Sequence, residues 1–272
     1  LLDEEWAYRV RTAGGGALEK CSSLGVVSSH GPTWLGQTMD LGGYTDGFQA
    51  LLSLGADGER PAALVFTVAG MIGLMGVNAA GVGAGVNSLP QLPSAPHGLP
   101  VAFVMRRLLQ ARSLAEAVHL VLSLPHATNQ HYVIAGPGVA RSFEAGAGGV
   151  TEYLPPDPTR VLHTNHPLSD APATPEPASA RENSVARLAS LQARLGAGRP
   201  GLAEIQAALS ACDDATVTRY LAGPLEPRTP SSLVDPDAIR AELVRIRERG
   251  YSVNENGLSS GISSAGGTTS SR

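Results

Sequence analysis

The order of elements along the chain predicts an α+β fold, with two sheets packed face to face and helices on the outer faces. Three observations carry that expectation. Short apolar runs split by turn residues come first, a pair of helical segments follows, and strands resume before a closing helical stretch. The 272 residues are 43% hydrophobic and 16% charged, enough to bury the core of one large domain or two small ones. Aromatics are only 4%, so that core rests on Ala, Val, Leu and Ile.

Each element has a local reason. Residues 1–13 read as a short helix stopped by Gly14-Gly15-Gly16. The apolar runs 24–27 and 33–35 flank Ser28-Ser29-His30-Gly31-Pro32, which has hairpin chemistry. Strands are expected at 49–54, 62–68 and 73–77, and at 82–87 after the Asn78-Ala79-Ala80-Gly81 turn. Residues 101–110 show helical spacing. Ser113-Leu114-Ala115-Glu116 is a capping box that opens a second helix through Ala117, Val118, Leu120 and Val121. Strands return at 131–135, 140–144, 151–154 and 161–164. A proline-rich linker at 167–177 leads to helices at 180–195 and 202–212. Residues 237–249 form an Arg- and Glu-rich amphipathic helix. Beyond Gly257 the chain is mainly Ser, Gly and Thr, and disorder is expected there.

Composition excludes several functions. A net charge of −4 without a basic block argues against nucleic acid. Lys20 is the only lysine among 20 basic residues, which reads as compositional bias. The two cysteines, Cys21 and Cys212, make no disulfide framework. No apolar run reaches the roughly 18 residues of a membrane-spanning helix. The start Leu1-Leu2-Asp3-Glu4-Glu5 lacks the pattern of a secretion signal, so a cytoplasmic location is expected of a chain that does not begin with Met. His163-x-x-His166 invites a zinc reading. Positions three apart on a strand face opposite sides, though, and no Cys or carboxylate joins them, so no metal is expected. Gly81-x-Gly83-x-Gly85 lacks the spacing and the following helix of a dinucleotide loop. No cofactor is expected.

Three pieces stand out together: Cys21-Ser22-Ser23 opening the first strand, Gly36-Gln37-Thr38-Met39-Asp40 ending its hairpin partner, and Asn78-Ala79-Ala80-Gly81 leading to Asn87-Ser88. Singly they are unremarkable. A lone Cys is usually a small buried hydrophobe, and Asp and Asn usually form turns or caps. Jointly, with the helix pair, Thr164-Asn165-His166-Pro167 and Ser184-Val185-Ala186-Arg187, the set resembles the acyl-CoA:6-aminopenicillanate acyltransferase family of cysteine N-terminal-nucleophile (Ntn) hydrolases. That family is related to the bile-salt and penicillin V amidases. The resemblance runs from Cys21 to about Arg219.

The resemblance implies a four-layer αββα Ntn fold that hydrolyses a linear amide or transfers its acyl group. Cleavage between Lys20 and Cys21 would make Cys21 the first residue. Its new α-amino group, with an ordinary pKa of about 8, would take the thiol proton and return it to the leaving amine. Asp40 would hold the amine. Asn165 would donate to the oxyanion, and Asn87 or its neighbouring backbone would complete the hole. Arg187 would stabilise the thiolate. Family members commonly carry Gly before the nucleophile, and Lys20 departs from that. The implied partners are a small-molecule amide or an acyl donor such as acyl-CoA, with no nucleic acid and no membrane, and with homo-oligomerisation left open. The expected organisation is a propeptide-like segment at 1–20, a hydrolase domain at 21–222 and an atypical tail at 223–272.

After Arg219 the chain reads differently. Residues 237–261, including Arg247-Glu248-Arg249-Gly250-Tyr251-Ser252-Val253, are similar to the opening of the effector domain of isocitrate-lyase-regulator type transcription factors. A fusion, a spliced chain and chance similarity all give such a pattern. The reading adopted is a hydrolase short of its last strands with a tail of different origin, which would leave an open sheet edge and an exposed core face. The competing reading is a non-catalytic small-molecule-binding module with a regulator-like tail.

Overall fold

The computed structural model describes residues 20–28, 32–40, 45, 48–174, 178–196, 200–210, 221–223, 225, 227, 232–249, 251–255 and 263–267. The expected helix at 1–13, the end of the helix expected at 202–212 and the Ser28–Pro32 turn residues 29–31 lie outside them. Residues 1–42 and 49–189 belong to one compact unit, and 43–48 and 190–272 to a second.

In the first unit, β1 (Lys20–Val27) and β2 (Thr33–Asp40) form the expected hairpin. A long antiparallel meander follows. Its strands are β3 (Gln49–Leu54), β4 (Ala63–Val68), β5 (Met75–Asn78), β6 (Gly83–Ser88), β7 (Gln130–Gly136), β8 (Val139–Gly146) and β9 (Gly149–Tyr153), in that spatial order. A further strand, β10 (Arg160–His163), leaves this sheet and pairs with β1, giving a three-stranded sheet of order β10-β1-β2. Helices α1 (Val101–Leu108) and α2 (Leu114–Ser123) interrupt the meander between β6 and β7.

Alternation along the strands separates two cores. Tyr132, Ile134, Phe143 and Ala145 of β7 and β8 turn outward to α1 and α2, where Val104, Met105, Leu108, Ala117 and Val121 meet them. Val133, Ala135, Ala140 and Val161 turn inward between the sheets. A Cβ on Gly25 would lie 2.7 Å from the Ala140 Cβ, and one on Gly85 2.7 Å from the Gln37 Oε1. Glycine at these two positions therefore lets β1 and β2 approach the large sheet closely. Residues 178–189 of α3 (Ala178–Leu195) supply the outer helical layer next to the small sheet, because Arg187 and Ser184 bond to β1 and to the turn after β10. The result is the expected αββα sandwich.

Asn78 is more than a turn residue. Its Oδ1 accepts from Ala80 N and Val82 N, both at 3.0 Å, and its Nδ2 donates to the carbonyls of Leu109 and Ala111 after α1. The capping box forms by half. Ser113 Oγ accepts from Glu116 N, but the Glu116 carboxylate takes the N–H of Arg112 and not that of Ser113. Past the small sheet, the inner face of β3–β5 exposes Leu51, Leu64 and Val77, which the register places on one side.

The second unit contains α4 (Leu202–Ser210), with Ile205 and Ala208 buried, α5 (Pro236–Arg249) and a hairpin of β11 (Tyr251–Glu255) with β12 (Ser263–Gly267). Residues 263–267 are paired with β11 within the stretch beyond Gly257 where disorder was expected. Backbone pairing with β11 needs no apolar side chain. No helix of the described residues is long and apolar enough to cross a membrane.

Candidate active site

Cys21 lies at the second residue of β1 and is 2% exposed. It shares the inward face of the strand with Gly25. Its nitrogen, here the amide of the Lys20–Cys21 bond, donates to Asn165 Oδ1 at 2.7 Å. Arg187 Nη2 donates to the same oxygen at 2.8 Å, and Arg187 Nη1 donates to the Cys21 carbonyl and to Ser22 Oγ. These bonds close a ring through the main chain of Cys21, so its nitrogen and carbonyl are both fixed. Arg187 Nε is held in turn by Asn183 Oδ1 at 2.9 Å. Two donors converging on one oxygen also identify which end of the Asn165 carboxamide faces Cys21.

Asn165 follows β10 in a turn that is pinned on every side. Its N–H donates to Ser184 Oγ at 2.8 Å, its carbonyl accepts from Gln91 Nε2 at 2.9 Å, and its Nδ2 donates to Ser88 O at 2.9 Å. Asn87 donates through Nδ2 to the carbonyls of His163 and Thr164, both at 3.0 Å. Ser184, Leu188, Leu191 and Leu195 recur on one buried face of α3, and the single polar member of that stripe is the one that touches Asn165. Asp40 stands opposite Lys20 in the β1–β2 register, with Met39 opposite Cys21. The Asp40 side chain lies outside the described residues. Cys21, Asn165, Arg187 and Asn87 are thus brought together, and Asp40 is brought to the adjacent strand by its backbone.

Beneath Cys21 a polar layer crosses the space between the sheets. His163 Nε2 lies 2.8 Å from Glu144 Oε1, and its Nδ1 lies 2.8 Å from Thr164 O. His131 stacks on His163 at 3.7 Å with a 6° tilt, and its Nε2 lies 2.9 Å from Ser142 Oγ. Burial holds the His131 pKa well below the ordinary value, with His163 adding to the shift. Burial also pushes His166 down to about 4, helped by the charges of His163, Arg181 and Arg187. For Glu144 burial acts upward, but the contacts with His163, Leu168 and Ser169 outweigh it and leave the pKa lowered. Ser23, the cross-strand neighbour of His163, would complete a Ser-His-Glu set. It is fully buried, however, and both ring nitrogens of His163 face other partners, so it is no hydrolytic triad. Among the described residues no group of three or more His, Cys, Asp or Glu could hold a metal ion.

Sequence reasoning gave no role to Gln37, Ser184, Gln91 or Glu144. Gln37 accepts from Val86 N and donates to Val86 O, so its carboxamide takes the place of a neighbouring strand beyond the end of β5. Two signals were visible: a Glu within the strand expected at 140–144, since a buried carboxylate needs partners, and Ser184 as the polar member of an apolar helical stripe.

The family model described as acyl-coenzyme A:6-aminopenicillanic acid acyl-transferase matches residues 30–221. A second model, the bacterial transcriptional regulator IclR C-terminal, matches residues 202–268, a longer stretch than the segment that carries the resemblance in the sequence. The 40 kDa form of the acyl-coenzyme A:6-aminopenicillanic-acid-acyltransferase of Emericella nidulans is 29% identical over 109 residues, covering 40% of this chain and 30% of that enzyme's length. Among solved structures, the Caenorhabditis elegans ortholog of N-acylethanolamine-hydrolyzing acid amidase superposes with a TM-score of 0.54 at 15% identity, over 70% of this chain and 86% of that one. Penicillin V acylase from Agrobacterium tumefaciens gives a TM-score of 0.39 at 16% identity, over 85% of this chain and 72% of that one.

Proposed function

Because the chain belongs to the acyl-coenzyme A:6-aminopenicillanic acid acyl-transferase family, we propose that it hydrolyses a linear amide or transfers its acyl group, with Cys21 as nucleophile. The observation that carries this reading is the clamp on the Cys21 main chain. An enzyme whose base is the α-amine of its nucleophile must fix that nitrogen, and here the nitrogen of Cys21 already has a buried acceptor in Asn165 Oδ1.

Activation would begin with attack of Cys21 Sγ on the Lys20 carbonyl. The carbon–nitrogen bond breaks, a thioester forms, and water hydrolyses it to free Cys21. In turnover the α-amine takes the thiol proton as Sγ attacks the substrate carbonyl. The tetrahedral intermediate then expels the amine, which receives that proton, and water or an amine or thiol acceptor releases the acyl group. Arg187 sits beside Cys21 with a permanent charge that favours the thiolate. Asn165 Nδ2 carries a second hydrogen for the oxyanion. Asn87 has both Nδ2 hydrogens on carbonyls of the 163–164 segment, so its side chain is assigned to holding the turn and not to the hole. Asp40, whose backbone stands opposite Lys20, is retained as the partner of the amine on the family resemblance alone. The proposed domain runs over 21–222, with residues 1–20 removed as a propeptide.

The test is to trap the acyl-enzyme. Protein mixed with p-nitroanilides of linear acids and quenched in acid should gain one acyl mass on the peptide that contains Cys21. Release of p-nitroaniline with no acylated Cys21, or acylation at Cys212 alone, would overturn the assignment. The binding-module reading predicts an intact chain and no acyl adduct.

A further inference from the structure

We propose that Glu144 is a positioning residue for the Cys21 site, acting through the 163–169 turn; the inference rests on the assignment of Cys21 and Asn165 made above. Glu144 is 1% exposed and points into the space between the sheets. Its Oε1 faces His163 Nε2 at 2.8 Å and accepts from Leu168 N at 2.6 Å. Its Oε2 accepts from Ser169 N at 3.2 Å and from Ser169 Oγ at 2.5 Å. The contacts fall on both sides of Asn165, two residues before it and three to four after it. One carboxylate therefore ties the two ends of the turn to β8.

A carboxylate suits this place because it accepts at both oxygens and offers no hydrogen of its own. The same charge is costly to bury, and an apolar side chain at this strand position would pack without that cost. What the charge supplies is a fixed location for residues 163–169, reinforced by the stacked His131 and by Asn87 on the carbonyls of His163 and Thr164. Downstream of this anchor, Asn165 Oδ1 holds both the Cys21 nitrogen and the Arg187 guanidinium. A shift of the turn by about 1 Å would lengthen both bonds, and misplacement on that scale costs roughly 100-fold in rate.

The test compares wild-type protein with Glu144→Gln, which keeps the volume but sets an NH2 group against either the Leu168 N–H or the Ser169 donors. Three readouts are needed: circular dichroism for folding, kcat and KM on a p-nitroanilide of a linear acid, and the rate of Cys21 alkylation by iodoacetamide from peptide mapping. The expected result is a folded protein with kcat lowered about 10- to 100-fold, KM within about twofold, and Cys21 alkylation slowed about threefold or more near pH 7. Ser169→Ala removes one hydroxyl donor and should move kcat the same way by about two- to fivefold; it carries the test if Glu144→Gln does not fold. A folded Glu144→Gln with wild-type kcat and alkylation rate overturns the proposal, as does a rise in KM alone. Wild-type kcat in Ser169→Ala overturns it where Glu144→Gln is unfolded. A wild-type protein that turns over none of the probes sinks the assignment of Cys21 instead, and the alkylation rates still decide the role of Glu144.

Discussion

Asn165→Ala is the perturbation that weighs most on this site. Truncation deletes two bonds accepted by Oδ1, from Cys21 N at 2.7 Å and Arg187 Nη2 at 2.8 Å, and one donated by Nδ2 to Ser88 O at 2.9 Å. Neutral hydrogen bonds contribute about 1 kcal/mol net and those to a charged group about 1.5–3 kcal/mol, so the sum is about 3–5 kcal/mol. Arg187 is only partly buried and regains water, which favours the lower end, about 3 kcal/mol. For a unit of this size each kcal/mol moves the melting temperature by about 2–4 °C, giving an expected drop of about 6–12 °C. Calorimetry on wild type and variant at one pH measures it. Turnover should fall about 100- to 1,000-fold, as for loss of an oxyanion donor. A drop below about 2 °C would mean that the ring around Cys21 is not a real restraint.

Two further outcomes follow from packing and burial. Gly25→Ala sets a methyl group 2.7 Å from the Ala140 Cβ and 3.3 Å from Val133 Cγ2, so urea unfolding should show a loss of about 1–3 kcal/mol from overpacking; an unchanged midpoint would mean the sheets are not closely packed there. Stability should also fall with pH in a defined window. His166 binds its proton at about 4 when folded against 6.5 in the open chain, and His131 is shifted in the same direction. The unfolded chain therefore binds more protons below 6.5, and the native state loses stability from there down to about 4, where the His166 contribution levels off. Thermal melts across that range should decline, and His166→Gln should flatten the decline. A flat wild-type profile contradicts the burial of these rings.

Much of the fold was legible because apolar runs, turn glycines and capping signals agree locally with the sheet order. The strands at 49–54, 83–88 and 130–136 and both helices of the pair sit close to where period and turn chemistry place them. Of the site, Cys21, Asn165 and Arg187 could be named from the motif set, although no pattern in the sequence states that one Asn oxygen binds both of the others. The inter-sheet layer was less legible. His163 was weighed as a ligand for zinc, whereas its partners, Glu144 and His131, arrive from strands that are neighbours only after the sandwich closes. Gln37 belongs to the same class, since its role depends on β5 ending before Val86. Ser184 could have been found as the polar member of an apolar helical stripe.

In the proposed mechanism Cys21 becomes a working N-terminal nucleophile. N-terminal sequencing and intact mass of the purified full-length chain, alongside Cys21→Ala, test it most directly. The wild type should show a new N-terminus at Cys21 and a matching mass loss for residues 1–20, and Cys21→Ala should show neither. Active protein that retains an uncut Lys20–Cys21 bond, or a Cys21→Ala chain cut at the same place, would contradict it.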